Sequence, residues 1–99
     1  MRGEAAIVGF YEMPTEREYP GRSTVSLLAE IARGAIRDAG LRPEDIDGII
    51  GQESLNSMTL AEVLGAKPRY TASMTVHGAS GSSSISTASA IVSAGLANY

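Results

Sequence analysis

The 99-residue sequence contains no cysteine. This absence excludes a disulfide framework, a thiolate metal site and a cysteine nucleophile within the chain. Basic residues are few as well, because eight Lys and Arg stand against eleven Asp and Glu, for a net charge of −3. Without a basic surface, nucleic acid and anionic membranes are not expected partners. A hydrophobic content of 43% still favours one small folded domain or part of a larger one.

Apolar runs long enough for membrane insertion are also missing. The apolar run at residues 5–11 is too short for a signal peptide, and Glu12 and Glu16 follow it. Residues 79–97 have the length of a membrane span, but seven serines and a threonine in that window argue against one. We therefore expect a cytoplasmic protein without a membrane segment.

The hydrophobic pattern predicts three strands that alternate with three helices. The strands are expected at residues 5–11, 48–52 and 70–76, and the helices at residues 25–39, 56–67 and 78–97. Ser23 or Thr24 is expected to cap the first helix and Gly40 to end it, while Thr59 is the expected cap of the second helix. A single helical turn is expected at residues 42–47. Such alternation is typical of parallel βα units in a layered α/β fold.

Lys, Arg, Asp and Glu are all absent from residues 70–99. A soluble chain leaves so long a stretch uncharged when nearly all of it is buried, so the last helix is expected to be covered on several sides. Ninety-nine residues supply too little cover for such a helix. We therefore expect residues 1–99 to be one unit without an internal boundary, either an N-terminal piece of a longer protein or a chain completed by partner subunits.

A glycine- and serine-rich bend joins the third predicted strand to the last helix, at His77, Gly78, Ala79, Ser80 and Gly81. Its spacing fits neither a nucleophile elbow nor a phosphate-binding P-loop. Glycine lets the backbone turn sharply or approach a ligand, and a helix N-terminus offers free N–H groups to an oxyanion. The serines that follow also have a purely structural interpretation, because a buried hydroxyl can bond to the carbonyl four residues earlier in its own helix.

The order of these segments resembles the N-terminal part of the thiolase superfamily, in its acetyl-CoA acetyltransferase-like or sterol-carrier (non-specific lipid-transfer) branch. The likeness rests on four segments: 5–9 as the opening strand, 27–41 as the first helix, 43–50 as a turn and strand, and 60–65 before the strand that leads into the bend. The resemblance covers essentially the whole chain. It implies a layered thiolase-like fold of which this chain holds the βαβαβα opening, ending in a buried helix.

In thiolases this bend presents the cysteine that takes the acyl group, in the pattern Cys, small residue, Ser or Thr, Gly. The matching run here begins with Gly78, so ordinary cysteine acyl transfer is not expected. The resemblance then implies an acyl-CoA thioester as substrate without a further cofactor, and His77, Gly78, Ala79 and Ser80 as substrate-binding residues. Neither a catalytic residue nor a metal site is assigned.

Three interpretations of function remain open. One is carbon–carbon cleavage of a thioester by retro-aldol chemistry, or an acetyl-CoA acetyltransferase with an altered mechanism. Another is a non-catalytic subunit that binds acyl-CoA or lipid, and the third is a structural piece that buries its tail against another protein subunit. The resemblance also implies a homodimer formed through the strand from Tyr70 to Thr75.

Overall fold

The computed structural model describes residues 4–52 and 57–99, apart from the side chains of Gln52 and His77. The described residues form three helices and two strands in the order α1 (Thr24–Asp38), β1 (Gly48–Gln52), α2 (Ser57–Leu64), β2 (Tyr70–Met74) and α3 (Ser80–Ser93). The strands pair in parallel, with Gly48 opposite Tyr70 and Gln52 opposite Met74. Short 3-10 turns lie at Pro43–Asp45 and His77–Ala79. The predicted α/β class is confirmed, and so is the parallel connection of these two strands.

Local signals define α1 at both ends. The Ser23 hydroxyl accepts a hydrogen bond from the Ser26 N–H at 3.1 Å, which satisfies a free donor of the first turn. At the other end Gly40 adopts a φ of 74°, and the Leu41 N–H donates to the Ile36 carbonyl at 3.0 Å. This left-handed glycine closes the helix as predicted.

The second helix departs from its predicted start. Thr59 is the third residue of α2 rather than its cap, because the helix already includes Ser57. The predicted first residue, Asn56, lies outside the described residues. The C-terminal end agrees with the sequence, since Gly65 adopts a φ of 76° directly after Leu64.

The prediction of a strand at residues 5–11 is wrong for this structure, in which these residues form neither helix nor strand. A strand needs a neighbouring backbone to pair with, and this backbone contacts α1 instead. The Phe10 N–H donates to the Asp38 carboxylate at 3.0 Å. Gly9 lies so close to α1 that a Cβ there would collide with the Ala35 carbonyl oxygen.

The last helix is formed, but it is shorter and less buried than predicted. It ends at Ser93 because Gly95 adopts a φ of 77° and Leu96 donates back to the Ile91 carbonyl, the same closure as in α1. Only Ser80 and Ile91 of α3 are buried, and Ile85 remains 58% exposed. A two-stranded sheet covers one side of this helix, and no second layer among the described residues covers the other.

The core is small and built largely from alanine and isoleucine. Ala29 of α1 and Ala61 of α2 are almost fully buried where these two helices pack together. The Arg33 guanidinium adds a hydrogen bond of 2.7 Å to the Val63 carbonyl of α2. Ile49 of β1 and Ile91 of α3 are buried on the sheet.

Asp47, just before β1, fixes the end of the chain beside the sheet. Its carboxylate accepts hydrogen bonds from the N–H groups of Asn98 at 2.8 Å and Tyr99 at 2.9 Å, and it lies 3.7 Å from the Arg69 guanidinium. Burial alone would raise the pKa of this carboxyl. The backbone N–H donors of Tyr99 and Asn98, together with Arg69, outweigh that effect and lower the pKa of Asp47 below its ordinary value.

No helix in the described part of the chain has the length and hydrophobicity needed to cross a lipid bilayer.

Candidate functional site

The candidate site is the corner between β2 and α3. The chain leaves β2 at Met74, passes through the 3-10 turn His77–Ala79 and enters α3 at Ser80. This corner follows the carboxyl end of a parallel strand, the edge at which open α/β sheets bind their ligands. Gly78 and Ala79 are both exposed there. The four predicted site residues therefore lie next to one another at this corner, three of them in the turn and Ser80 at the start of α3.

Ser80 holds the corner in shape. The residue is only 5% exposed, and its hydroxyl oxygen accepts a hydrogen bond from the Val76 N–H at 2.9 Å. The Ala79 N–H closes the same turn by donating to the Val76 carbonyl at 3.0 Å. The Ser80 side chain is thus engaged with backbone, as expected for a residue that positions the turn.

The N-terminus of α3 is an electropositive feature of this corner. Ala79 is the N-cap residue, and no side chain makes a capping hydrogen bond there. The first-turn N–H groups of a helix lack partners within the helix, and the aligned peptide dipoles place partial positive charge at that end. An oxyanion or a thioester oxygen placed there would be stabilised.

Gly78 occupies open space. A Cβ built at this position has no heavy atom of the described residues within 4 Å apart from its chain neighbours, and the same holds at Gly81. Neither residue is among the described glycines with positive φ, so the backbone freedom that glycine allows is not used at these two positions. The 3-10 turn makes the corner with ordinary backbone angles, and a larger side chain, cysteine included, would fit at position 78.

The structure leaves part of the site prediction untested. The backbone of His77 lies in the turn, but its side chain is outside the described residues. The binding roles of His77, Gly78, Ala79 and Ser80 therefore stay predictions. The pairing of Ser80 with the Val76 N–H was not anticipated, because a sequence pattern does not encode the direction of a hydroxyl.

Two serine hydroxyls deeper in α3 do not make the hydrogen bond to a helix carbonyl that was expected of them. Ser84 and Ser93 each bury a hydroxyl oxygen that finds no hydrogen-bond partner among the described residues, so the expected bond to a helix carbonyl is absent at both positions. Ser84 lines an apolar cavity together with Ile49 and Ile91, and such neighbours offer no polar partner. Among the described residues, no cluster of three or more His, Cys, Asp or Glu could hold a metal ion.

Comparison with known proteins finds similar structures but no similar family profile or curated sequence. The sequence matches no protein-family profile and no curated protein sequence. Six chains of solved structures do match, and two of them are informative here. One is a monomeric SCP2-thiolase like protein type 1 from Mycobacterium smegmatis, with a TM-score of 0.76 and 28% identity over 92% of this chain. The chain has a thiolase-like fold. The likeness lies in the sterol-carrier branch, as the sequence predicted.

The second match is the Ltp2-ChsH2(DUF35) aldolase, with a TM-score of 0.69 and 27% identity over 79% of this chain. The chain spans 21% of the length of each of these two relatives.

Proposed function

We propose that the chain is part of a thiolase-like protein that cleaves a carbon–carbon bond in an acyl-CoA thioester without an acyl-enzyme intermediate. The observation that carries this proposal is Gly78 at the tip of α3, in a chain without cysteine. A glycine has no nucleophile to accept an acyl group, whereas the helix N-terminus beside it can still stabilise negative charge on a thioester oxygen. The likeness to an aldolase supports this choice of reaction.

The reaction would be a retro-aldol cleavage of a 3-hydroxyacyl thioester. A base takes the proton of the 3-hydroxyl group, and the bond between carbons 2 and 3 breaks. The electron pair moves onto carbon 2 as a thioester enolate, while carbon 3 becomes an aldehyde or ketone. Protonation of the enolate gives the shortened acyl-CoA. In this proposal the N–H groups at the start of α3 hold the enolate oxygen, and the groups that move protons belong to the longer protein.

The residues at the corner have separate roles in the proposal. Gly78 leaves room for the thioester carbonyl, since no described residue other than its chain neighbours lies within 4 Å of its Cβ position. Ser80 keeps the turn in place through the Val76 N–H. Ala79 exposes backbone without competing for the helix N–H groups, because it has no capping side chain. His77 is proposed as a hydrogen-bond donor to the substrate.

The test is to offer 3-hydroxyacyl-CoA thioesters to the protein and to follow the products by mass spectrometry. Paired release of a shorter acyl-CoA and a carbonyl compound supports the proposal. Saturable binding without cleavage would favour a non-catalytic acyl-CoA-binding or lipid-binding subunit instead. Indifference to every thioester contradicts both.

The proposal extends to assembly and location. The outer edge of β2 is unpaired among the described residues, and we place a second copy there, pairing through the strand from Tyr70 to Thr75. Light scattering across a range of concentrations tests this, and a strict monomer would contradict the dimer while leaving the thioester chemistry standing. The proposed compartment is the cytoplasm.

A further inference from the structure

Hydrogen bonds to other parts of the chain hold α3 at both of its ends. At the N-terminal end, the Ser80 hydroxyl accepts from the Val76 N–H at 2.9 Å, and this Ser80 anchor ties the helix to the chain just after β2. Beyond the C-terminal end, the N–H groups of Asn98 and Tyr99 donate to the Asp47 carboxylate at 2.8 Å and 2.9 Å. This Asp47 anchor lies beside the start of β1. Since α3 has 14 residues and is about 21 Å long, the two anchors lie at opposite ends of the sheet.

Between the two anchors, α3 packs loosely against the described part of the chain. A cavity of about 300 Å³ lies between α3 and β1, and a cavity of about 250 Å³ lies between α3 and residues 5–7. Ile85, Ala88 and Val92 line both cavities. Ile91 is buried on the sheet, whereas Ile85 is exposed. Close packing normally fixes the position of a helix, so where cavities replace it the hydrogen bonds at the helix ends decide where α3 lies.

Asp47 makes its anchor with its backbone as well as its side chain. The Tyr99 carbonyl accepts hydrogen bonds from the Asp47 N–H at 3.2 Å and from the Gly48 N–H at 2.9 Å. The Asp47 carbonyl accepts from the N–H groups of Arg69 at 2.7 Å and Tyr70 at 3.1 Å. A single residue therefore joins the start of β1, the start of β2 and the chain that leaves α3.

The charge of Asp47 makes its anchor the stronger of the two. Hydrogen bonds to an ionised carboxylate are roughly twice as strong as bonds between neutral groups such as Ser80 and the Val76 N–H. Residues 70–99 contain no Lys, Arg, Asp or Glu, so no charged side chain of α3 competes for the carboxylate. Of the charged groups in neighbouring segments, Arg69 lies 3.7 Å from it. The others are Lys67 before β2 and, in the turn before β1, Arg42 with its two partners Glu44 and Asp45.

We propose that Asp47 is a positioning residue for the corner at Gly78. Its carboxylate fixes the C-terminal end of α3, so the helix, moving as one rigid body, also fixes the N–H groups at its N-terminus. Without the carboxylate charge, α3 tilts about the Ser80 anchor and those N–H groups shift relative to the end of β2. The role rests on the function proposed for these N–H groups, for which a misplacement of about 1 Å can slow a reaction about 10²-fold.

An acid titration of the unmodified chain, followed by NMR of its backbone amides, tests the positioning without a ligand. The Asn98 and Tyr99 amides report the protonation of Asp47 directly, because they donate to its carboxylate. The proposal predicts that the amides of residues 79–82 shift with the same midpoint as these two, below the ordinary carboxyl pKa. The Asp47→Asn variant should lose this step at residues 79–82. Glu44→Gln removes an exposed carboxylate three residues away, and this matched control should keep the step.

A second measurement covers the case in which acid unfolds the chain. At neutral pH, Asp47→Asn should shift the amides of residues 79–82 while the amides of α1 keep their positions. Ser23→Ala removes the cap of α1 and also destabilises the chain, but it should leave residues 79–82 unchanged. Unmoved amides at residues 79–82 in Asp47→Asn, or equal changes there in Ser23→Ala, would overturn the positioning role.

Titration with acetyl-CoA separates this role from the proposed function. A higher dissociation constant for Asp47→Asn than for the unmodified chain supports both. Binding to neither protein, with the amide shifts at residues 79–82 present, contradicts the thioester site and supports the positioning role alone. Equal dissociation constants for the two proteins contradict the positioning role.

Discussion

The electrostatic character of the corner at Gly78 can be measured by placing a thiol there. The natural chain has no cysteine, so a Gly78→Cys variant carries a single thiol. The described part of the structure accepts this side chain, because none of its heavy atoms beyond the chain neighbours lies within 4 Å of the Cβ position. The N-terminal end of α3 should stabilise the thiolate and lower the thiol pKa. Ala94→Cys is the matched control, since Ala94 is exposed at the C-terminal end of the same helix, where the dipole is negative.

The size of the expected difference follows from the helix dipole. Each end of a helix contributes roughly 0.3–1 kcal/mol at an exposed position, and 1.36 kcal/mol corresponds to one pKa unit. The pKa of the thiol at position 78 should therefore lie about 0.5–1.5 units below that at position 94. The assay is the pH dependence of alkylation by iodoacetamide at low ionic strength. Equal pKa values for the two thiols, or a higher value at position 78, would refute the idea that α3 presents an electropositive tip at the corner.

Four further substitutions test the fold around the site, each by urea unfolding. Asp47→Asn should lower the free energy of unfolding by about 1–3 kcal/mol at neutral pH, because the carboxylate accepts charge-assisted hydrogen bonds. The pKa of Asp47 is lowered in the folded state, so the carboxylate stabilises the fold at pH values above the ordinary carboxyl pKa. This stabilisation disappears as the pH falls through the folded pKa. Ile91→Ala should cost about 2–4 kcal/mol, whereas Ile85→Ala on the exposed side of α3 should cost under about 1 kcal/mol. Ser80→Ala should cost about 1–2 kcal/mol by leaving the Val76 N–H without its partner.

Controls separate these effects from general damage to the chain. Glu44→Gln removes an exposed carboxylate whose ion pair with Arg42 is 3.4 Å long, and it should change stability by under about 0.5 kcal/mol. Ser82→Ala removes an exposed hydroxyl two residues after Ser80 and should be equally mild. A stability loss for Asp47→Asn that is the same at low and neutral pH would contradict the role given to the Asp47 charge. Equal losses at positions 85 and 91 would contradict the burial of α3 on the sheet.

Elements determined by neighbouring residues were predictable from the sequence. Ser23 and Gly40 act within one turn of α1, so their roles could be read without knowledge of the tertiary fold. The strand at residues 48–52 agrees with the structure for a similar reason, being a short apolar run bounded by turn residues. The corner residues are contiguous, and their proximity needed no long-range inference.

Features that depend on distant contacts were not predictable in the same way. Residues 5–11 have the composition of a strand, but a strand also needs a partner edge, which no local pattern supplies. Burial of α3 depends on which sheets or helices pack around it. The absence of charged residues indicates that the helix can be buried, but it does not identify the elements that cover it. The end of α3 is a different case. Gly95 closes the helix with a left-handed backbone as Gly40 does in α1, but the apolar residues after Gly95 continue the helical pattern and extended the predicted helix to residue 97.

Binding of a thioester at the Gly78 corner is the central claim, and amide chemical shifts test it most directly. Acetyl-CoA is titrated into the isotope-labelled protein while the backbone amides are followed by NMR. The account predicts saturable shift changes centred on residues 78–82, with little change at Asp47 on the opposite end of β1. Shift changes located elsewhere, or none up to millimolar ligand, would contradict it.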